Sequence, residues 1–185
     1  MAGKTLIVIV GPTGSGKTDL AVAVAEHFGS PVVSTDSRQI YRDLPIGTAH
    51  PDAEQLRRVR HYFIATHELT EDFNCGAYEA AASELLDSLF VRYDTVVAVG
   101  GSGLYVKALC EGMDDMPQCD ARLRERLAER LREEGVDVLA EELRRLDPEF
   151  HAVVDRRNPA RVLRALEGCI PTGRPYSSFR TGRRR

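Results

Sequence analysis

The sequence predicts an α/β fold with a parallel sheet and a helical insertion domain. A continuous apolar, largely β-branched run, Thr5–Val10, leads into a glycine-rich loop and then into a helical pattern over Lys17–Phe28. A second such run covers residues 95–99. Uninterrupted apolar runs of this length are typical of strands buried on both faces of a parallel sheet, and their alternation with helices indicates the α/β class.

Each predicted strand is a short apolar run that ends at a glycine or a polar residue. The four runs cover residues 5–10, 31–35, 62–65 and 95–99. Polar clusters follow three of them, at residues 11–18, 36–39 and 100–103. Ligands of an open parallel sheet bind at the carboxyl ends of its strands. We therefore expect these three clusters to converge on one site.

The predicted helices follow from apolar residues spaced three or four apart. In Lys17–Phe28 these residues lie on one face, and Gly29 ends the helix. Three further helices are predicted at residues 76–90, 104–110 and 159–168. Residues 37–61 contain Pro45, Gly47 and Pro51 and are predicted to be irregular.

The chain is predicted to divide into three parts. Residues 1–114 form the α/β core, and residues 115–155, with leucines recurring in a highly charged sequence, form a helical insertion or lid. Residues 156–185 form a helix that returns to the core, followed by a flexible basic tail.

Composition excludes several classes of protein. Hydrophobic residues make up 43% of the chain and charged residues 29%, as in an ordinary soluble protein, and no apolar stretch is long enough to span a membrane. The N-terminus lacks the pattern of a signal peptide, so the cytoplasm is the expected location. The cysteines Cys75, Cys110, Cys119 and Cys169 lack C-x-x-C spacing, which favours buried, inert thiols over disulfides or a zinc site.

Charge is distributed unevenly along the chain. Residues 151–185 carry nine Arg against Asp155 and Glu167, a net charge of +7, which leaves −10 for the preceding residues. Either contact with a polyanion or a solvated tail accounts for such a basic segment.

The glycine-rich loop fits G-x-x-x-x-G-K-[ST] and predicts a P-loop NTPase-like core. Its residues are Gly11, Pro12, Thr13, Gly14, Ser15, Gly16, Lys17 and Thr18. Successive backbone N–H groups of such a loop form a nest for phosphate oxygens, which the N-terminus of the following helix also attracts. Lys17 reaches the terminal phosphate in this arrangement, and the Thr18 hydroxyl is a candidate ligand of Mg²⁺.

The other strand ends disfavour a hydrolytic switch or motor. The strand at 95–99 is followed by Gly100, Gly101 and Ser102, so the metal-binding carboxylate usual at that point is missing, and no N-K-x-D sequence is present. Asp36 is the acid at a strand end that faces the loop. It is either a general base beside the phosphates or the N-cap of a helix.

Six motifs, in order along nearly the whole chain, carry a resemblance to one family. They are GPTGSGKT (11–18), STDSRQIYR (34–42), IGTAHP (46–51), VGGSGLYVKAL (99–109), DP (147–148) and NPARVLRALE (158–167). Together they resemble the tRNA dimethylallyltransferases, or tRNA isopentenyltransferases, of the bacterial type. Family members continue beyond Arg185 with a further basic segment, so the resemblance implies that this chain lacks the C-terminal part.

The resemblance implies transfer of a dimethylallyl group from dimethylallyl diphosphate to the exocyclic amine of the adenosine next to the anticodon of tRNA. The loop would then hold the leaving diphosphate with Mg²⁺, and Lys17 would stabilise its charge. Asp36 matches the general base of the family. The amine must leave the anticodon stack, so an extruded adenine is expected.

The resemblance also implies a set of residues that contact the anticodon stem-loop. They are Asp36, Ser37, Arg38, Gln39, Ser102, Arg124, Ala160, Arg161, Val162, Leu163 and Arg164. Ser102 stands where the family usually has Thr, and His50 where many relatives have Lys. We expect a monomer that does not bind membranes.

Three alternatives stay open from the sequence. A small-molecule P-loop kinase would bind ATP instead of an allylic diphosphate, with residues 122–132 as its arginine-rich lid. An adenylate isopentenyltransferase would share the core but act on a free nucleotide. A non-catalytic fragment would bind nucleic acid without turnover.

Overall fold

The computed structural model describes residues 3–71, 73–114, 116, 117 and 119–182. These residues form two compact units, which divide between Met113 and Asp114. The first unit contains the sheet, and the second is helical.

The first unit is built on four parallel strands in the order β1-β4-β2-β3. The strands are β1 (Thr5–Val10), β2 (Val32–Ser34), β3 (His61–Tyr62) and β4 (Thr95–Gly100). Six residue pairs join β1 to β4, from Thr5 opposite Thr95 to Val10 opposite Gly100. The predicted α/β class with a parallel sheet is confirmed.

Strand β1 is less buried than its sequence suggests. It was expected to be buried on both faces, whereas the structure places it at the edge of the sheet, paired with β4. Val10 is 61% exposed, and the residues at 6–9 are only partly buried. The apolar run does predict a strand, but its position in the sheet depends on which partner it finds.

Helices cover both faces of the sheet. The helices of this unit are α1 (Lys17–Phe28), α2 (Ala53–Arg58), α3 (Cys75–Phe90) and α4 (Gly103–Glu111). Val97 and Val99 of β4 pack with α1, whereas Val96 and Ala98 pack with α3. This alternation is the period-two pattern of a strand that is buried on both faces.

Helix α2 lies in a segment that was expected to be irregular. Its N-terminus is a capping box, in which the Asp52 carboxylate accepts from the Gln55 N–H and the Gln55 side chain accepts from the Asp52 N–H. This capping compensates for the absence of any buried side chain in the helix.

Two stacked tyrosines support the carboxyl end of β2. Tyr78 of α3 lies 4.0 Å from Tyr105 of α4, centroid to centroid, with nearly parallel rings. The Tyr78 hydroxyl donates to the Ser34 carbonyl at 3.0 Å. Burial raises the pKa of Tyr78 and raises that of Tyr105 to about 12, so both side chains are neutral packing groups.

The second unit contains helices α5 (Ala121–Glu134), α6 (Val136–Leu146), α7 (Pro148–Val153) and α8 (Pro159–Thr172), followed by a 3₁₀ helix (Tyr176–Phe179). Gly135, with φ +83°, separates α5 from α6. Leucines 123, 127, 139 and 143 are buried against α8 residues Val162 and Leu166.

The predicted boundary at residue 156 differs from the structure. Helix α8 was expected to return to the α/β core, but it shares a hydrophobic core with α5, α6 and α7. Its buried residues run from Val162 to Cys169, beyond the predicted end at residue 168. The helical unit therefore includes α8.

A buried carboxylate fixes the segment that was expected to be a flexible tail. Asp147 is 1% exposed and accepts from the Phe150 N–H at 2.9 Å. It also accepts from the Ser177 N–H at 2.6 Å and from the Ser177 hydroxyl at 3.0 Å. The Tyr176 ring packs on that of Phe150. Residues 176–179 are thus held, while residues 183–185 of the predicted tail lie outside the described part.

The remaining expectations concern cysteines and membranes. All four cysteines are free, but only Cys169 is buried as expected, since Cys75 and Cys119 are partly buried and Cys110 is exposed. Within the described ranges, no helix has the length and apolar character needed to cross a bilayer.

Candidate active site at the carboxyl ends of the strands

The glycine-rich loop connects the end of β1 to the start of α1. Gly14 and Gly16 adopt left-handed conformations, with φ +80° and +77°, which residues with a Cβ rarely adopt. The Ser15 N–H donates to the Pro12 carbonyl at 3.3 Å, and Gly16 is the N-cap of α1. This geometry suits an anion at the N-terminus of a twelve-residue helix.

Lys17 and Thr18 begin helix α1. The Lys17 ammonium donates to the Pro12 carbonyl at 3.0 Å, so the side chain folds back over the loop. Thr18 is partly buried in the first turn. The ammonium group therefore lies on the same side of the loop backbone as the Pro12 carbonyl oxygen.

The end of β4 lies against the ends of both neighbouring strands. A Cβ on Gly100 would lie 2.5 Å from the Thr35 carbonyl carbon and 2.6 Å from its oxygen. A Cβ on Gly101 would lie 3.3 Å from the Gly11 carbonyl oxygen. Glycine at position 100 is therefore a steric requirement, since there is no space there for a side chain.

Ser102 joins β4 to the segment that follows β2. Its N–H donates to the Thr35 carbonyl at 3.3 Å, and its hydroxyl accepts from the Ser37 N–H at 2.9 Å. The Ser102 and Ser37 hydroxyls are 3.1 Å apart. Together with the contacts of Gly100 and Gly101, these bonds bring the three polar clusters to one place, as expected.

Asp36 caps the turn that follows it. Its Oδ1 accepts from the N–H groups of Arg38 at 2.9 Å and Gln39 at 3.3 Å. Residues 37–40 form a turn and not a helix, so the helix N-cap considered from the sequence is an Asx-type turn. Among the described residues, none donates a hydrogen bond to Oδ2. Capping therefore orients the carboxylate and leaves one oxygen for another partner.

Gln39 has a structural role that the sequence did not indicate. Its Nε2 donates to the carbonyls of Ala49 at 2.7 Å and Thr48 at 3.2 Å, and its Oε1 accepts from the Ser34 hydroxyl at 3.2 Å. The side chain expected to contact tRNA is thus already engaged with the loop at residues 44–50. These bonds help hold Ala49 at φ +49°, an unfavourable conformation for alanine.

His50 is the last residue of this loop, and the charge of Asp36 affects its pKa. Burial lowers the pKa of His50, and the negative charge of Asp36 opposes that shift. Its Nε2 is buried and has no hydrogen-bond partner within the described part of the chain. The neutral imidazole is therefore favoured in the free protein.

The predicted RNA contacts of the helical unit lie on α5 and α8. Arg124, Ala160 and Arg161 are exposed, and Arg164 and Leu163 are partly buried. Val162 is fully buried, which corrects the expectation that its side chain faces RNA. Arg124 and Arg164 both pair with Glu167. The i, i+3 spacing of Arg164 and Glu167 could have indicated their ion pair from the sequence. The pairing of Arg124 with Glu167 could not be predicted in this way, because it joins two different helices.

The donor set at the loop suits Mg²⁺ only together with a phosphate. Among the residues that the structure describes, no group of three His, Cys, Asp or Glu side chains could hold a metal ion. Mg²⁺ retains several waters and commonly takes one or two protein ligands plus phosphate oxygens. The Thr18 hydroxyl in the first turn of α1 fits that requirement.

Fold and loop together define a P-loop-like α/β protein in which the candidate acid, Asp36, follows β2 instead of β4. Residues 39–185 match the family model described as IPP transferase. The chain belongs to the IPP transferase family.

Individual relatives agree with this assignment. The chain is 51% identical over 177 residues to tRNA dimethylallyltransferase 1 of Phocaeicola vulgatus, covering 96% of this chain and 59% of that protein. The crystal structure of the tRNA isopentenylpyrophosphate transferase of Bacillus halodurans aligns with this chain with a TM-score of 0.59 and 35% sequence identity. The alignment covers 94% of this chain and 57% of the Bacillus halodurans chain. The chain thus spans about three fifths of these relatives.

A more distant structure shares the fold. A eukaryotic dimethylallyltransferase that acts on tRNA aligns over 95% of this chain and 44% of its own, with a TM-score of 0.78 and 24% identity.

Gly100→Ala should lower the free energy of unfolding by about 2 kcal/mol, because the added Cβ overlaps the Thr35 backbone. Gly103→Ala is the matched control, since a Cβ at that position, the first residue of α4, meets nothing within 4 Å. Urea denaturation of both variants provides the measurement. Equal stability of the two variants would contradict the close approach of β4 to β2.

Proposed function

We propose that this chain contributes the catalytic core for transfer of a dimethylallyl group from dimethylallyl diphosphate to the exocyclic amine of the adenosine adjacent to the anticodon. The observation that carries the proposal is that the end of β4 contacts both the glycine-rich loop and the segment that contains Asp36, through Gly11, Thr35 and Ser37. Family membership supports the reaction class, and the names of the relatives support tRNA as the acceptor.

The loop at residues 11–18 binds the diphosphate that leaves. Backbone N–H groups and the Lys17 ammonium stabilise the charge that develops on the departing oxygen, as oxyanion-hole donors do. Thr18 is the proposed ligand of Mg²⁺, which when bound supplies Lewis-acid stabilisation of the leaving group.

Asp36 accepts the proton of the attacking amine. The amine nitrogen forms a bond to the allylic carbon, and the bond from that carbon to the diphosphate oxygen breaks with its electron pair on the oxygen. The nitrogen then loses a proton to Oδ2 of Asp36, while Oδ1 stays in the turn. The turn keeps the carboxylate oriented throughout.

The end of β4 argues against phosphoryl hydrolysis. The chain continues as Gly101 and Ser102, and the Ser102 hydroxyl is hydrogen-bonded to Ser37. The absence of a carboxylate there is consistent with a loop that retains the diphosphate as a leaving group and transfers no phosphoryl group.

Asp36→Asn should reduce prenyl transfer by about 10²–10⁴-fold, because the amide keeps an oxygen for the turn but is a poor base. Mass-detected transfer to an unmodified anticodon stem-loop measures this, on this chain and on a version extended to the length of its relatives. Affinity for the stem-loop should change little.

Asp52→Asn is the control for Asp36→Asn. Asp52 also accepts a backbone N–H, from Gln55, but at the start of α2. Its substitution should leave transfer unchanged. Full activity of the Asp36→Asn variant would remove Asp36 from the role of base.

Lys17→Ala should weaken binding of inorganic pyrophosphate roughly tenfold or more, through loss of a charge-assisted hydrogen bond. Calorimetric titration in the presence of Mg²⁺ measures the affinity. Lys107→Ala, an exposed lysine of α4, provides the control. Unchanged pyrophosphate affinity in Lys17→Ala would argue against the loop as the diphosphate site.

A further inference from the structure

A nearly buried carboxylate holds two of the arginines assigned to RNA contact. The Glu167 side chain is 10% exposed, whereas those of Arg124 and Arg164 are 53% and 40% exposed. The acid thus lies beneath two guanidinium groups that face solvent. Among the described residues, Glu167 is one of only two buried acids, and Asp147 is the other.

Each oxygen of Glu167 takes one arginine. Arg164 Nη1 lies 3.2 Å from Oε2, within helix α8, and donates a hydrogen bond to it. Arg124 Nε lies 3.4 Å from Oε1 and reaches it from helix α5. A single carboxylate therefore connects arginines of two different helices.

This arrangement leaves both Nη groups of Arg124, and the Nε and Nη2 groups of Arg164, available for another acceptor. A guanidinium has five N–H donors, and Glu167 engages one nitrogen of each. The described residues provide no further ion-pair partner for Arg124 or Arg164. Paired guanidiniums with unused donors suit the oxygens of a phosphodiester backbone.

A second arginine cluster of the same unit shows what an ordinary surface network looks like. Arg130 pairs with Glu134 and Glu142 at 2.8 Å each, and the three side chains are about equally exposed, at 30%, 36% and 31%. There two acids neutralise one base. The Glu167 cluster has the reverse composition, with one buried acid under two bases, and keeps a net positive charge at the surface.

We infer that Glu167 is a positioning residue, which holds Arg124 and Arg164 as a pair that binds RNA phosphates. The inference rests on the proposed function, since the RNA is the anticodon stem-loop proposed as substrate. Long arginine side chains lose rotamer freedom on binding. Anchoring two of them beforehand on a buried acid removes much of that loss.

Orientation and neutralisation have opposite consequences when the acid is removed. If Glu167 only neutralises charge, then Glu167→Gln adds a positive charge and should tighten RNA binding. If Glu167 orients the pair, the same substitution should weaken binding roughly tenfold, because both side chains must be ordered during association. The slope of log K against log salt should also become shallower by about 1.5, the loss of two phosphate contacts.

The experiment titrates the folded chain with an unmodified anticodon stem-loop across a series of salt concentrations. Four proteins form a mutant cycle: wild type, Glu167→Gln, the double variant Arg124→Ala/Arg164→Ala, and the triple variant that combines these substitutions. Glu167→Gln should weaken binding in wild type and have no effect once both arginines are absent. Glu142→Gln, which removes an acid from the Arg130 cluster, should leave affinity and salt slope unchanged.

Circular dichroism checks the fold of each variant. If Glu167→Gln unfolds the chain, Glu167→Asp, which keeps the charge, replaces it and should bind with an affinity between wild type and the double arginine variant. Unchanged or tighter binding by Glu167→Gln would overturn the positioning role, as would an equal loss in the background without arginines. A wild-type chain that does not bind the stem-loop would instead overturn the proposed function and with it this role.

Discussion

The candidate active site depends on how closely the end of β4 approaches the end of β2. Gly100 leaves no space for a side chain beside the Thr35 carbonyl, and Gly101 lies against the carbonyl of Gly11. This contact allows Ser102 to bond both Thr35 and Ser37. These contacts join the glycine-rich loop, the glycine pair and the segment that carries Asp36. The positions of their polar groups are consequently fixed relative to each other.

The two compact units have different physical tasks in this account. The sheet unit provides a glycine-rich loop at the N-terminus of α1 and a carboxylate with one oxygen that accepts from backbone N–H groups. The helical unit provides the arginine pair Arg124 and Arg164, on a leucine core that α5, α6, α7 and α8 share. Glu142, which pairs with Arg130, is 31% exposed, while Glu167 is 10% exposed and lies beneath two arginines that face solvent.

Sequence patterns predicted the features that depend on neighbouring residues alone. The loop motif, helix α1 and the strands β1, β2 and β4 follow from glycine spacing and apolar runs, and the position of Asp36 follows from the strand that precedes it. The strand predicted at residues 62–65 is instead the short strand His61–Tyr62, because the backbone bends at Phe63 and Ala65, which have positive φ. Tertiary partners determined the rest. Three features each need a contact that is distant in sequence, which no local pattern specifies. They are the edge position of β1, the hydrogen bonds from Gln39 to residues 44–50, and the pairing of Arg124 with Glu167.

The central claim is that one site combines the loop with the segment after β2. Amide NMR spectra of the ¹⁵N-labelled chain, titrated with inorganic pyrophosphate and Mg²⁺, test it most directly. The account predicts that signals of residues 11–18 shift together with those of Ser37, Arg38 and Ser102, because the end of β4 couples these segments. Shifts confined to the loop, or located elsewhere in the chain, would contradict it.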